Sequence, residues 1–239
     1  MIFRILTMSV LTLFLVSNSA LGDATVFTDA MMFETAAGTN GSLAALEGFE
    51  NNNTSLGGGV FEFPSGQALQ AGVPLVDMDG NGFPDGLEST EFIVFAEGTG
   101  SQSLGLIEGG GAIPIPTAFV GAFQLPDATV VDVLGGDTNA VGFNVFGGFP
   151  FPTDYQIDVF DDLGGLIFSG AVTGPEPSEV GFIGVVADSG QNIGRVEIDA
   201  IGNLELIDNV QIWNRAVPEP STTSLMLLAV VALIGKRRR

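Results

Sequence analysis

Apolar and polar residues alternate along several short runs of this chain, and glycine or proline interrupts the pattern every 8–12 residues or so. In 140–146 the apolar face is Val141, Phe143 and Val145; in 154–160 it is Tyr155, Ile157 and Val159, with Gln156 and Asp158 opposite. Val196 and Ile198 share a face in 194–200, and Leu204, Leu206, Val210 and Ile212 share one in 204–212. Successive side chains of a strand point to opposite faces, so a period of two marks strands with one buried side. The 34 glycines and 12 prolines break the chain too often for long helices, and only 29–37 has the pattern of a short one. The expected fold is all-β, an antiparallel two-sheet jelly-roll sandwich.

Charge narrows what such a sandwich can do. All 28 acidic residues lie between Asp23 and Glu219, where the only basic residues are Arg195 and Arg215, a formal charge of −26 for that stretch. So negative a surface repels phosphate backbones and anionic lipid and attracts divalent cations. Disorder is the usual fate of so acidic a chain, but 46% hydrophobic residues and 19 phenylalanines predict a packed core. The absence of cysteine and histidine excludes Ser-His-Asp and Cys-His catalysis and the usual zinc sites, and the body has no lysine for Schiff-base chemistry. Only carboxylates, hydroxyls and a metal remain for chemistry, and no enzyme activity is expected.

The two ends read as addresses. Arg4, the apolar run 5–16 and the small residues Ala20 and Gly22 form a secretory signal peptide over 1–22, with cleavage between Gly22 and Asp23. At the other end, Val217, Pro218, Glu219 and Pro220 precede an apolar run over about 225–234 and a basic stop of Lys236, Arg237, Arg238 and Arg239. A bilayer core takes about 20 apolar residues, so this run is short for the task and makes a marginal transmembrane helix with its basic end cytoplasmic; an ordinary C-terminal tail anchor is the competing reading. The prolines keep the junction extended and open to an enzyme. The body between, 23–216, is long enough for one domain.

This order of Pro-Glu-Pro, short apolar helix and terminal arginines resembles the PEP-CTERM sorting signal, also catalogued as an ice-binding protein C-terminal domain. The resemblance covers 217–239. It implies an exported protein of a Gram-negative bacterium, processed by an exosortase, held briefly in the inner membrane and passed to the cell surface or extracellular matrix. Its partners would be the exosortase and secretion machinery, with exopolysaccharide or other surface proteins at the destination and no nucleic acid. The runs AVGFNVFG, YQIDVFDDLGG, VGFIGVVADSGQNIGRVEIDAIG and LELIDNVQIW resemble, in their order, exported concanavalin-like or galactose-binding-like jelly-roll modules.

Two calcium sites are expected, the first in a loop whose competing reading is a plain solvated Asp/Gly turn between strands. Residues 77–88 fit the twelve-residue loop D-x-D-x-N-G-x5-E, in which Asp77, Asp79 and Asn81 supply oxygens at alternate positions, Phe83 a carbonyl, Asp85 a direct or water-bridged ligand and Glu88 both carboxylate oxygens. Gly-Phe-Pro-Asp within it resembles thrombospondin type 3 and dockerin-like repeats, and the strand-like flank 91–95 argues against paired helices. The second site follows from the parity of 204–212, which puts Asp208 on an apolar face, where a lone carboxylate is costly. Glu50 and Asp208 resemble the pair that holds a structural calcium in carbohydrate-binding sandwiches. A β-bulge turning Asp208 to solvent is the competing reading. Glu197 and Asp199, at alternate positions, begin a glycosidase-like pattern but read better as solvated outer-face charge, and Trp213 reads as a satellite core residue.

The chain is therefore expected to be a calcium-stiffened structural or adhesive β-sandwich, with a carbohydrate-binding module as the alternative and a carboxylate glycosidase behind it. Chelation should lower its melting temperature and added Ca²⁺ restore it. A melt unchanged across calcium concentrations would remove both sites.

Overall fold

A computed structural model of the chain describes residues 24–49, 60–63, 65–70, 89–107, 117–146, 153–188, 190–201 and 205–216. In chain order the elements are β1 (Ala24–Phe27), α1 (Ala30–Asn40), β2 (Gly41–Glu47), β3 (Val60–Glu62), β4 (Phe92–Gly98), β5 (Leu104–Ile107) and β6 (Phe119–Ala122). They continue with β7 (Asp127–Val133), β8 (Thr138–Phe146), β9 (Asp154–Asp161), β10 (Leu166–Thr173), β11 (Val180–Ala187), β12 (Ile193–Ala200) and β13 (Ile207–Arg215). Every ladder is antiparallel. One sheet runs β1-β11-β8-β13-β6-β5-β3, with β2 also on β13; the other runs β10-β9-β12-β7-β4. The all-β, two-sheet jelly-roll sandwich expected from the alternation is the fold.

The core lies between the sheets. Val141, Phe143 and Val145 of β8, Tyr155, Ile157 and Val159 of β9, and Val196 and Ile198 of β12 are wholly buried in one cluster. Each aliphatic or aromatic side chain so buried contributes roughly 1.5–3 kcal/mol. Those faces are the ones the alternation selects. Tyr155 satisfies its hydroxyl inside the core by donating to the Phe146 carbonyl at 2.5 Å. Burial pushes that phenol above its ordinary range.

The last strand departs from simple alternation. Ile207, Val210 and Ile212 enter the main core, whereas Leu206 packs separately with Ile107, Phe119 and Phe146. Asn209 has a left-handed φ of 49°, and the register against β8 slips between Asp208 and Gln211. This is a β-bulge, and an extra residue reverses which side chains face inward. The single apolar face read through Leu206, Asp208, Val210 and Ile212 is thus split in two. Leu204 lies outside the described residues.

The one short helix among the described residues is capped as its sequence demands: the Asp29 side chain accepts from the Met32 N–H at 2.9 Å. Phe33 and Ala37, one turn apart, bury on Ala140 and Phe182. Glycine makes that docking possible. Gly142 of β8 and Gly184 of β11 are cross-strand partners, and the Phe33 ring lies directly over both. A Cβ would stand 2.7 Å from the ring at Gly142 and 2.4 Å from it at Gly184. Trp213 closes the same cluster edge-on to Phe33, with ring centroids 6.4 Å apart, so it is a satellite core residue. Gly184→Ala should therefore displace a buried ring and lower stability by about 1–3 kcal/mol, read as a drop in the denaturation midpoint. An unchanged midpoint would mean that α1 docks by other contacts.

Candidate functional site

The five-stranded sheet turns its outer face to solvent, and the alternation of its strands fills that face with acids. Asp132 of β7 and Phe160 of β9 flank Arg195 of β12; Asp158 stands opposite Glu197, and Gln156 opposite Asp199. Arg195 ion-pairs with Glu97 of β4, and its Nε lies 2.8 Å from Glu197 and 3.9 Å from Asp132. The Nε–H is poorly aligned for a hydrogen bond to Glu197, so that contact is mainly one of charge. Below, the guanidinium rests on the Phe95 ring, 5.4 Å from its centroid, a cation–π contact.

Electrostatics follow from one cation serving several acids. Burial works against the charge on Arg195, but the hydrogen bond to Glu97 and the charges of Glu197, Glu97 and Asp132 outweigh it and hold its pKa above the ordinary value. Burial raises Asp132 and Glu197, Arg195 pulls both down, and neighbouring carboxylates push them up again, leaving both above the usual range. A groove of about 640 Å³ runs over this face, lined by Glu97, Asp132, Phe160, Asp161, Arg195 and Glu197 among others. It sets hydrogen-bond acceptors around a guanidinium donor with aromatic surface nearby, an arrangement that can hold a polar, uncharged molecule.

The glycosidase-like pair is placed on this face too. Glu197 is engaged with Arg195, while Asp199 lies further along β12 toward the end of the sheet. Burial and the charge of Asp158 raise the Asp199 carboxyl, and the neighbouring Glu205 side chain lowers it. Glu205 gave no signal in the sequence: between Leu204 and Leu206 it reads as an outward position. In the fold it is fully buried. Ala200 N–H donates to its Oε1 at 3.0 Å, and its Oε2 meets no hydrogen-bond donor.

Asp208 is the member of the second expected calcium site that can be placed. It is fully buried beside the bulge, not turned to solvent. Its Oδ1 accepts from the Asn209 N–H at 2.6 Å, and its Oδ2 from Thr117 at 2.7 Å and the Asn209 amide at 2.9 Å. Glu47, another buried acid, sits opposite Val210 on β2 and accepts from the Phe49 N–H at 3.2 Å. Glu50 falls outside the described residues, as does the whole loop of Asp77, Asp79, Asn81, Phe83, Asp85 and Glu88. Gly22, Asp23 and the tail from Val217 to Arg239 do so too. Among the described residues no three acidic side chains converge as a metal site would require, and no helix is long and apolar enough to cross a membrane.

Comparison with known proteins identifies the tail and gives the body structural neighbours. Residues 216–239 match the PEP-CTERM protein-sorting motif. The chain thus carries an exosortase-type sorting signal, which implies export and membrane-associated sorting. No curated protein is detectably similar in sequence. One similar solved structure is the Clostridium thermocellum N-terminal endo-1,4-beta-D-xylanase 10B, its CBM22-1 and GH10 modules complexed with xylohexaose. It is 13% identical over 74% of this chain and 29% of that one, with a TM-score of 0.33. Another is the CBM22-1 xylan-binding domain of Paenibacillus barcinonensis Xyn10C, 11% identical over 74% of this chain and 98% of that one, with a TM-score of 0.34. Xylan belongs to the description of those proteins; the sandwich here stands on its own strand pairing.

Proposed function

We propose that this chain is a non-enzymatic exported protein whose acidic β-sandwich is delivered by its C-terminal signal to the surface or extracellular matrix of a Gram-negative cell. There it serves a structural or adhesive role within exopolysaccharide. The observation that carries this reading is the sorting motif over 216–239. The body supports it: a sandwich with an excess of carboxylates and no lysine, cysteine or histidine suits a scaffold more than a catalyst. Calcium is part of the proposal. The loop Asp77–Glu88 would hold one ion, Glu50 and Asp208 a weaker second, and bound cations would relieve the repulsion among the acids. Truncation after Ala216, in a host with an exosortase, is expected to leave the body in the periplasm, whereas the full chain reaches the surface fraction. Identical fractionation of the two would overturn the proposed route.

The groove over the five-stranded sheet favours a second reading, carbohydrate binding by the same fold. Its lining is net acidic, so a neutral polysaccharide fits better than a uronate polymer. Retention of the full chain on the producer's own neutral glycan, weakened about tenfold or ~1.4 kcal/mol by Phe160→Ala, would support this reading. A chain that no glycan retains leaves the structural role alone.

A further inference from the structure

Glu205 stands where the chain passes from one sheet to the other. It lies between the end of β12 and the start of β13, and its fully buried side chain reaches back to the N–H of Ala200, the last residue of β12. Its backbone is packed directly on β6. Gly121 of β6 is pressed against it so closely that a Cβ there would fall 1.4 Å from the Glu205 carbonyl oxygen.

The second carboxylate oxygen poses the question. Oε2 is buried and no donor reaches it. The ionisable groups around it are Asp199 on β12, Asp127 at the start of β7 and Tyr155 on β9. Tyr155 spends its O–H on the Phe146 carbonyl. Asp127 is an acceptor, already taken by the N–H groups of Gly100 at 2.5 Å and Gln102 at 2.7 Å. Asp199 is an acceptor too, and Asp158 presses on it with like charge from β9. Two carboxylates that meet without a donor repel, and although Asp199 is itself exposed, the burial of Glu205 multiplies that cost.

We propose that Glu205 and Asp199 share one proton, carried on Glu205 Oε2 and donated to the Asp199 carboxylate, and that this carboxyl–carboxylate bond fastens the β12–β13 connection to the end of the five-stranded sheet. Folding takes this proton up from solvent. Burial first, then the charges of Asp199 and Asp127, lift the Glu205 carboxyl to about 9, against the hydrogen bonds from the Ala200 and Glu205 N–H groups that lower it. The Asp199 carboxyl is in turn within the reach of the Glu205 side chain, whose hydrogen bond with it lowers a pKa that burial and Asp158 raise. A divalent cation is the competing occupant, but it wants six or more oxygens; Asp127, the third acid nearby, is committed to the Gly100 and Gln102 N–H groups, and the described residues hold no set of three ligands.

The sign of the linkage follows. The folded pKa of Glu205 lies above its unfolded value of 4.5, so the stabilisation is complete below that value and is lost as pH rises toward about 9. Within that window the folding constant falls by up to about tenfold per pH unit from this group alone. Glu205→Gln keeps the shape and supplies an amide donor to Asp199 at every pH. Melting of the full chain and of this variant, with chelator present, is to be followed from pH 5 to pH 9. The expected result is that the variant gains on the wild type steadily with pH and melts higher at pH 9. Parallel curves would overturn the proposal, and so would added Ca²⁺ abolishing the difference at pH 8, which would assign the pair to a metal. Should the variant fail to fold, infrared spectra of the wild type decide: a carboxylic-acid C=O band that persists at neutral pH and fades near pH 9 supports the shared proton. Its absence at neutral pH rules the proton out.

Discussion

Carboxylates without matching cations are the condition under which every part of this sandwich forms. With 28 acidic residues set against two arginines in the body, the few acids that enter the interior must be held by something other than lysine. Backbone N–H groups take most of that work. Asp127 is wholly buried at the start of β7 and accepts from Gly100 and Gln102; both glycines before it, Gly98 and Gly100, lie so close that a side chain on either would collide with it. Asp208, also buried, takes an N–H, a hydroxyl and an amide, and the half-exposed Asp161 accepts in the same way from Leu163 and Gly165 in the β9–β10 turn. Hydrogen bonds to a charged acceptor are the stronger kind, each worth about 1.5–3 kcal/mol, so neutral donors arranged in turns can stand in for absent counter-ions.

Where backbone donors cannot reach, the sandwich uses its scarce alternatives once each. Arg195 is placed centrally among the acids of the five-stranded sheet, where one guanidinium offsets Glu97, Glu197 and Asp132 together. Had it stood at the sheet edge, the same charge would have been screened by solvent and would have served one partner weakly. Arg215, at the end of β13, donates to the Gln191 carbonyl at 2.6 Å and ties the last strand to the turn before β12. The two cations of the body thus hold separate joints of the same fold.

Much of the architecture was legible because burial on one face of a strand leaves a period of two. The faces of β8, β9 and β12, the short helix after Asp29 and the satellite position of Trp213 all follow from local pattern. Simple alternation failed at Asn209, because a bulge shifts parity without changing composition; Ile-Asp-Asn-Val admits a bulge, but nothing in it says that Asp208 stays buried beside one. It failed at Glu205 for a different reason: that side chain precedes its strand and is buried by crossing to the other sheet, a relation between residues distant in space. The groove around Arg195 was equally hidden, since four strands contribute to it and each supplies one or two ordinary surface charges. The sorting signal is the opposite case, a contiguous segment whose order of parts is its identity.

The slot formed by Gly142 and Gly184 has an optical corollary. The chain has one tryptophan and one tyrosine, and the fold assigns them to different places. Trp213 lies half-buried against Phe33 beneath the helix, while Tyr155 is sealed between the sheets. Indole emission therefore reports the seating of α1 on its glycine floor, and phenol absorbance reports the sandwich interior. Two natural chromophores thus divide the molecule between them, and lifting the helix away can be told apart by wavelength from opening the sheets.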